Sequence, residues 1–225
     1  MIYEYLLFNL FVVSGPLLVF FWKKPGIVRP DFKPLFVTIF LAGIFFAAYD
    51  QLVVNYFWSF NDKYITGIFL FSLPLEEVLF FITVPFACLL LWVNYRKHLS
   101  EKIFPKFATY LLATVLILVP FFFLAGKIYS GSVLLVFLGV IVADFLLKTK
   151  LFSSRIFIIF IFLITNVLTF IFNLYLTARP IVIYNEIVKT NINIISIPIE
   201  DFVFGMALIA LTLIIYEKNR LKKQA

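Results

Sequence analysis

Residues 74–81 read Pro74-Leu75-Glu76-Glu77-Val78-Leu79-Phe80-Phe81, and 124 residues further on Pro198-Ile199-Glu200-Asp201 again opens an apolar stretch. Working outward, Trp58 to Phe81 lies on Val182 to Gly205 at this constant offset without a gap. Asn61/Asn185, Thr66/Thr190, Ile68/Ile192, Ser72/Ser196, Pro74/Pro198, Glu76/Glu200 and Phe80/Phe204 are identical, and Asp62/Glu186 and Glu77/Asp201 are conservative. Seven identities in 24 positions, most of them polar residues or proline, indicate an internal duplication rather than a shared hydrophobic composition.

The chain of 225 residues is 64% apolar and 20% aromatic, with 14% charged residues and a mean hydropathy of +1.08, far from the averages of soluble domains. Apolar runs able to cross about 30 Å of hydrocarbon occur near 2–22, 34–54, 75–95, 107–125, 128–147, 156–177 and 199–217. The expected fold is therefore an all-α integral membrane protein of seven transmembrane helices, one domain covering residues 1–225. Met1 to Trp22 lacks a basic leader and a small-residue cleavage site, so it reads as a retained first span.

Net charge is +7, yet 15 of the 19 Lys and Arg residues fall in alternate loops, among them Lys23, Lys24, Arg96, Lys97, Lys148, Lys222 and Lys223. The positive-inside rule then puts the N-terminus outside and the C-terminus in the cytosol, and no nucleic-acid partner is needed to explain the charge. Cys88 lies in mid-span and reads as packing; His98 lies in a basic loop and reads as solvated. Neither suggests a metal site, and none is expected.

Three helices per repeat (about 1–95 and about 126–218), joined by a linking helix at about 103–125, would make the repeats parallel, related by an axis along the membrane normal. Both acid motifs then lie at outer helix ends. Proline and acids in a first turn are an ordinary helix opening. Beyond that opening, Glu4, Asp50, Glu76/Glu77 and Glu200/Asp201 all fall in the outer half, with no Lys or Arg in the spans to neutralise them. Ionisable groups at membrane depth are functional candidates. Several carboxyls in one low-dielectric space cannot all ionise, so at least one should keep its proton and act as a general acid. Asp144, four residues before Lys148, reads as half of a local ion pair. Glu76 with Phe80, and Glu200 with Phe204, are four apart and share a helix face. Each repeat thus sets a ring below an acid, an arrangement that suits making and holding a carbocation.

Phe60-Asn61-Asp62, Gly67 and the Pro74-to-Phe81 motif, with their degenerate second copy, resemble the membrane lycopene cyclases of the archaeal and fungal type, over essentially the whole chain. The chain looks like the two small bacterial subunits fused. The resemblance implies a cofactor-free β-cyclase that takes lycopene or γ-carotene from the lipid phase, most simply in a prokaryotic cell membrane. It implies Glu76 and Glu77 as proton donor and acceptor, with Glu200 and Asp201 as second-site equivalents and Asp50 as modulator. Phe80, Phe204 and Trp58 are the cation-stabilising candidates, with Asn61 and Asn185 as further substrate-binding candidates. The second copy departs from the first at Asp201, Val182 and Asn191, where the first has Glu77, Trp58 and Gly67, so one active centre is as compatible as two. The chain has no GxGxxG, unlike the flavin-dependent cyclases. A proton-coupled carrier, a carotenoid hydratase and an ε-cyclase remain as other readings. A retinal protein fails for want of a lysine in 199–217.

Overall fold

The computed structural model describes residues 3–22, 26–99 and 101–224; Lys23, Lys24 and the side chains of His98, Lys222 and Lys223, all discussed above, lie outside the described residues. Seven helices are long and apolar enough to cross a membrane: α1 (Glu4–Phe21), α2 (Phe32–Val53), α3 (Leu75–Tyr95), α4 (Phe107–Leu124), α5 (Ile128–Leu147), α6 (Arg155–Ala178) and α7 (Ile199–Gln224). Their bounds fall close to the seven apolar runs of the sequence. The helix-initiating prolines stand one position earlier than an ordinary first-turn proline, with Pro74 serving as the cap of α3 in extended conformation. A π-helical stretch, Phe160–Thr165, interrupts α6.

Short strands occupy the loops: β1 (Trp58–Phe60), β2 (Phe69–Leu70), β3 (Leu73–Pro74), β4 (Val182–Tyr184), β5 (Asn193–Ile194) and β6 (Ile197–Pro198). The all-α reading missed them because strands this short show no period-two pattern. They exist because loop backbone near hydrocarbon must still satisfy its hydrogen bonds. β1 pairs antiparallel with β4 in the register Trp58↔Tyr184, Ser59↔Ile183, Phe60↔Val182. Ser59 and Ile183 are 124 apart, so the ladder reads the same from either repeat, as a self-complementary contact does. Asn61 N donates to Ile181 O at 3.0 Å, and Asn185 N donates to Phe57 O at 2.8 Å, extending that reciprocity.

The hairpins β2–β3 and β5–β6 also match, each turning through a left-handed residue, Phe71 (φ 57°) and Ile195 (φ 61°). Gly67 (φ 78°) and Asn191 (φ 63°) are likewise both left-handed. The apparent departure from glycine to asparagine therefore preserves the backbone, because Asn is among the few residues that tolerate this region.

α3 and α7, which carry the acid motifs, are the most enclosed helices, whereas α4 packs chiefly along α5. α2 packs on both α3 and α7. Its counterpart α6 packs on α7 and meets α3 at the end remote from the acid motifs, where Phe157 and Phe160 lie against Trp92 and Phe160 against Tyr95. At the end remote from the acid motifs, buried Glu217 of α7 accepts from Trp92 Nε1 at 2.8 Å and pairs with Arg96 and Arg220, tying α3 to α7.

Asp144 is not paired with Lys148. The chain turns left-handed at Lys148 and folds back, so the carboxylate accepts from Leu151 N (2.9 Å), Phe152 N (3.1 Å) and Thr149 Oγ1. Glu4 also leaves the unneutralised set. Arg179, just beyond α6, clamps it with Nε at 2.6 Å and Nη2 at 2.9 Å, and Tyr175 Oη donates at 2.8 Å.

Candidate active site

Neighbouring residues on a helix point about 100° apart, and this divides each acid pair. Glu76 turns toward its own preceding loop, where Oε1 accepts from Thr66 N at 2.6 Å. Glu200 does the same, accepting from Thr190 N and Oγ1, both at 2.8 Å, and from Ser130 Oγ. In both residues the second oxygen is buried without a hydrogen-bond partner.

Glu77 and Asp201 turn inward instead, into one chamber between the two halves, with a free volume of about 80 Å³. Asp50 near the C-terminal end of α2 joins them, and its carboxyl meets that of Glu77 within hydrogen-bonding reach. Tyr5 Oη donates to Glu77 Oε2 at 2.6 Å. Around Asp201, Tyr129 Oη donates to Oδ1 at 3.1 Å, while Tyr184 Oη and Asn173 Nδ2 donate to Oδ2 at 2.7 and 3.1 Å. Burial and the neighbouring Asp201 push the phenol of Tyr184 up from its ordinary value, which keeps it a hydrogen-bond donor. Tyr5 and Tyr129 are themselves 124 apart.

Rings form much of the remaining wall: Trp58, Phe60, Phe80, Phe172 and Phe204. Trp58 and Tyr129 have centroids 5.4 Å apart, and Phe204 meets Phe46 edge-on at 5.1 Å. No Lys, Arg or His lines the chamber among the described residues. A hydrogen bond between Asp50 and Glu77 requires a proton on one of them. Three carboxyl groups without a cation would otherwise carry an unpaired charge that burial penalises heavily.

Of the residues expected from sequence, Glu77, Asp201, Asp50, Phe80, Phe204 and Trp58 come together in the chamber; Glu76, Glu200, Asn61 and Asn185 do not line it. The ring one turn below each chamber acid is three residues on, Glu77 to Phe80 and Asp201 to Phe204, rather than four. Asn61 and Asn185 instead shape the loops, where Oδ1 of each accepts the amide two residues ahead at 3.1 Å. Sequence reasoning missed Tyr5, Tyr129, Tyr184 and Asn173. The first two carried a legible signal, since extending the 124-residue offset into the first helix superposes them.

Fold and site together define a seven-helix membrane protein that encloses facing carboxyls among ring faces. The sequence model of the lycopene cyclase family matches residues 3–94 and again 126–218. The chain belongs to the lycopene cyclase family, within carotenoid biosynthesis, and the tandem match agrees with a fused cyclase of the archaeal and fungal type. The two matched segments leave out α4. No curated protein and no solved structure matches the chain.

Proposed function

We propose that the protein is a lycopene β-cyclase, acting on ψ ends of lycopene and γ-carotene drawn from the lipid phase. Its setting would be a prokaryotic cell membrane, with the repeats parallel about the membrane normal and the chamber near the outer face. The observation that carries the reading is the set of Asp50, Glu77 and Asp201 in a ring-lined chamber without a cation, in a chain of this family.

The Asp50–Glu77 pair holds the proton. Its transfer to the terminal double bond of the substrate forms a C–H bond and leaves a tertiary cation. The neighbouring alkene attacks that cation, closing a six-membered ring and moving the positive charge into it. Loss of a ring proton to a carboxylate then yields the β end. Product and substrate are isomers, and no electrons are exchanged with a cofactor.

Asp201 suits the accepting role, because three neutral donors favour its carboxylate form without adding positive charge. The proton returns within the cluster before the next turnover. Phe80, Phe204 and Trp58 present ring faces to the cation. Glu76 and Glu200 anchor the outer loops that roof the chamber.

Expression in lycopene-accumulating cells, with pigments separated by chromatography, tests the assignment. Cyclised products are expected. Unchanged lycopene in membranes that contain the folded protein would overturn it.

A further inference from the structure

The chamber continues into an apolar groove between α1, α3 and α6, and the two share Val84, Cys88, Leu168 and Phe172 in their walls. Resting on the cyclase reading, we infer that this groove holds the remainder of the linear polyene while one of its ends occupies the chamber.

The groove runs down α3 to Asn94, 17 residues past Glu77, which is about 25 Å of helix and most of the roughly 30 Å hydrocarbon layer. Asn94 is the sole polar side chain in its wall, and that amide is already engaged by Val28 O and Leu90 O, each at 2.9 Å. The lining therefore asks for an apolar, elongated occupant without hydrogen-bonding groups.

Closure elsewhere directs the chain into this path. On the opposite side, α2 seals the equivalent gap: Phe46 and Tyr49 lie against Phe204 with centroids 5.1 and 5.7 Å away, and Tyr49 Oη bonds Ser132 Oγ of α5 at 2.8 Å. At the outer rim the Glu4–Arg179 clamp and the stacked pair Phe8–Tyr175, 5.1 Å apart, join α1 to α6. Between this rim and the far end of the bundle, α6 stands off from α3 and the groove lies open. By this path one end at a time enters the chamber, so a bicyclic product requires withdrawal and re-insertion, and the monocyclic carotenoid is released between the two.

The repeat supplies a matched pair of probes. A Cβ added at Gly15, in the groove, meets nothing within 4 Å; nor does one at Gly139, 124 residues later on the exposed face of α5 and outside every chamber-linked surface. Both sit inside helices, where glycine carries a cost of up to about 1 kcal/mol, but residue 15 precedes Pro16, against which a new Cβ crowds; thermal unfolding of Gly15→Trp and Gly139→Trp beside the wild type therefore accompanies the rates and separates loss of fold from loss of the groove.

Gly15→Trp is expected to slow turnover of lycopene at least about tenfold, by misplacing the end that must reach the chamber acids, with Gly139→Trp at the wild-type rate. A shortened apocarotenoid with the same acyclic end, which needs the chamber alone, should be cyclised equally by all three proteins. Equal lycopene rates for the two variants would overturn the inference and leave the cyclase assignment standing, the result a lipid-filled cleft would give. Loss on the short substrate as well would also overturn it, by locating the damage in the chamber. A wild-type protein inactive on both substrates removes the cyclase reading, and this inference with it.

Discussion

Replacing Glu77 by glutamine removes a proton while leaving the hydrogen bonds in place. Tyr5 Oη, now 2.6 Å from Glu77 Oε2, can donate to the amide oxygen. The amide NH2 can then donate to the neighbouring Asp50 carboxylate, in place of a proton shared by the native pair. No buried polar atom becomes orphaned, so the stability change should stay within about 1 kcal/mol. Turnover should behave differently, because an amide has no proton to give at this acidity. Positioned general acid catalysis contributes roughly 10²–10⁴-fold, a loss of about 3–5.5 kcal/mol of transition-state stabilisation. The assay is conversion of lycopene by membranes normalised for protein content, with thermal unfolding in detergent followed in parallel. Glu77→Gln should unfold with the wild type and leave lycopene unconverted. Wild-type turnover in this variant would refute the assignment of the proton to the Asp50–Glu77 pair.

Four further outcomes follow from the geometry. Asp201→Asn should still form the cation but delay its quenching, so chromatography should show hydrated or misplaced-double-bond products beside a reduced yield of β rings; an unaltered product pattern would exclude Asp201 as the acceptor. Glu76→Gln keeps an acceptor for Thr66 N and should remain active, whereas Glu76→Leu orphans that amide at a cost of about 1–3 kcal/mol, visible as a lowered Tm. Gly205→Ala places a Cβ 2.6 Å from Thr169 Oγ1, an overpacking cost of about 1–3 kcal/mol that Thr169→Ala should relieve. The raised pKa of Tyr184 means that the unfolded chain releases its proton first, from about pH 10. Stability is then intact below that pH and falls above it, and Tyr184→Phe should flatten this alkaline fall in Tm.

The seven spans were legible because each is a long apolar run, and the duplication because its matching positions are polar residues or proline that lipid contact does not select. Which acid of each pair faces the chamber was not legible. Glu76 and Glu77 differ by a single position, and their directions depend on where the first turn of α3 begins relative to Pro74. The role of Asp144 was misread for a related reason: an i, i+4 spacing with Lys148 presumes a continuing helix, and the chain leaves the helix at Lys148 itself. Glu4 found its counter-charge 175 residues away in Arg179, a contact that no local pattern records. The loop pairing of β1 with β4 lay beyond reach as well, since each strand makes sense only when the other repeat is present.

Duplication gives a near-symmetric frame, and the proposed chemistry depends on the places where symmetry fails. Each half offers one inward acid held by a tyrosine of its own first helix, Glu77 with Tyr5 and Asp201 with Tyr129. The second helix of each half then supplies a different partner: the acid Asp50 to Glu77, the amide Asn173 to Asp201. A carboxyl partner can share a proton and so prepares a donor. At Asp201 the amide of Asn173 and the phenols of Tyr129 and Tyr184 all donate to the carboxylate, which suits an acceptor. Cyclisation needs both functions around one cation, which a perfectly symmetric pair of acids could not provide without two distinct protonation states of identical sites. The same inequality reappears in the packing, where α2 closes its side of the chamber against α7 and α6 leaves the other side open toward α3. In the proposed reaction, donor and acceptor thus both follow from the unequal partners that the two second helices supply, and the access path from their unequal packing.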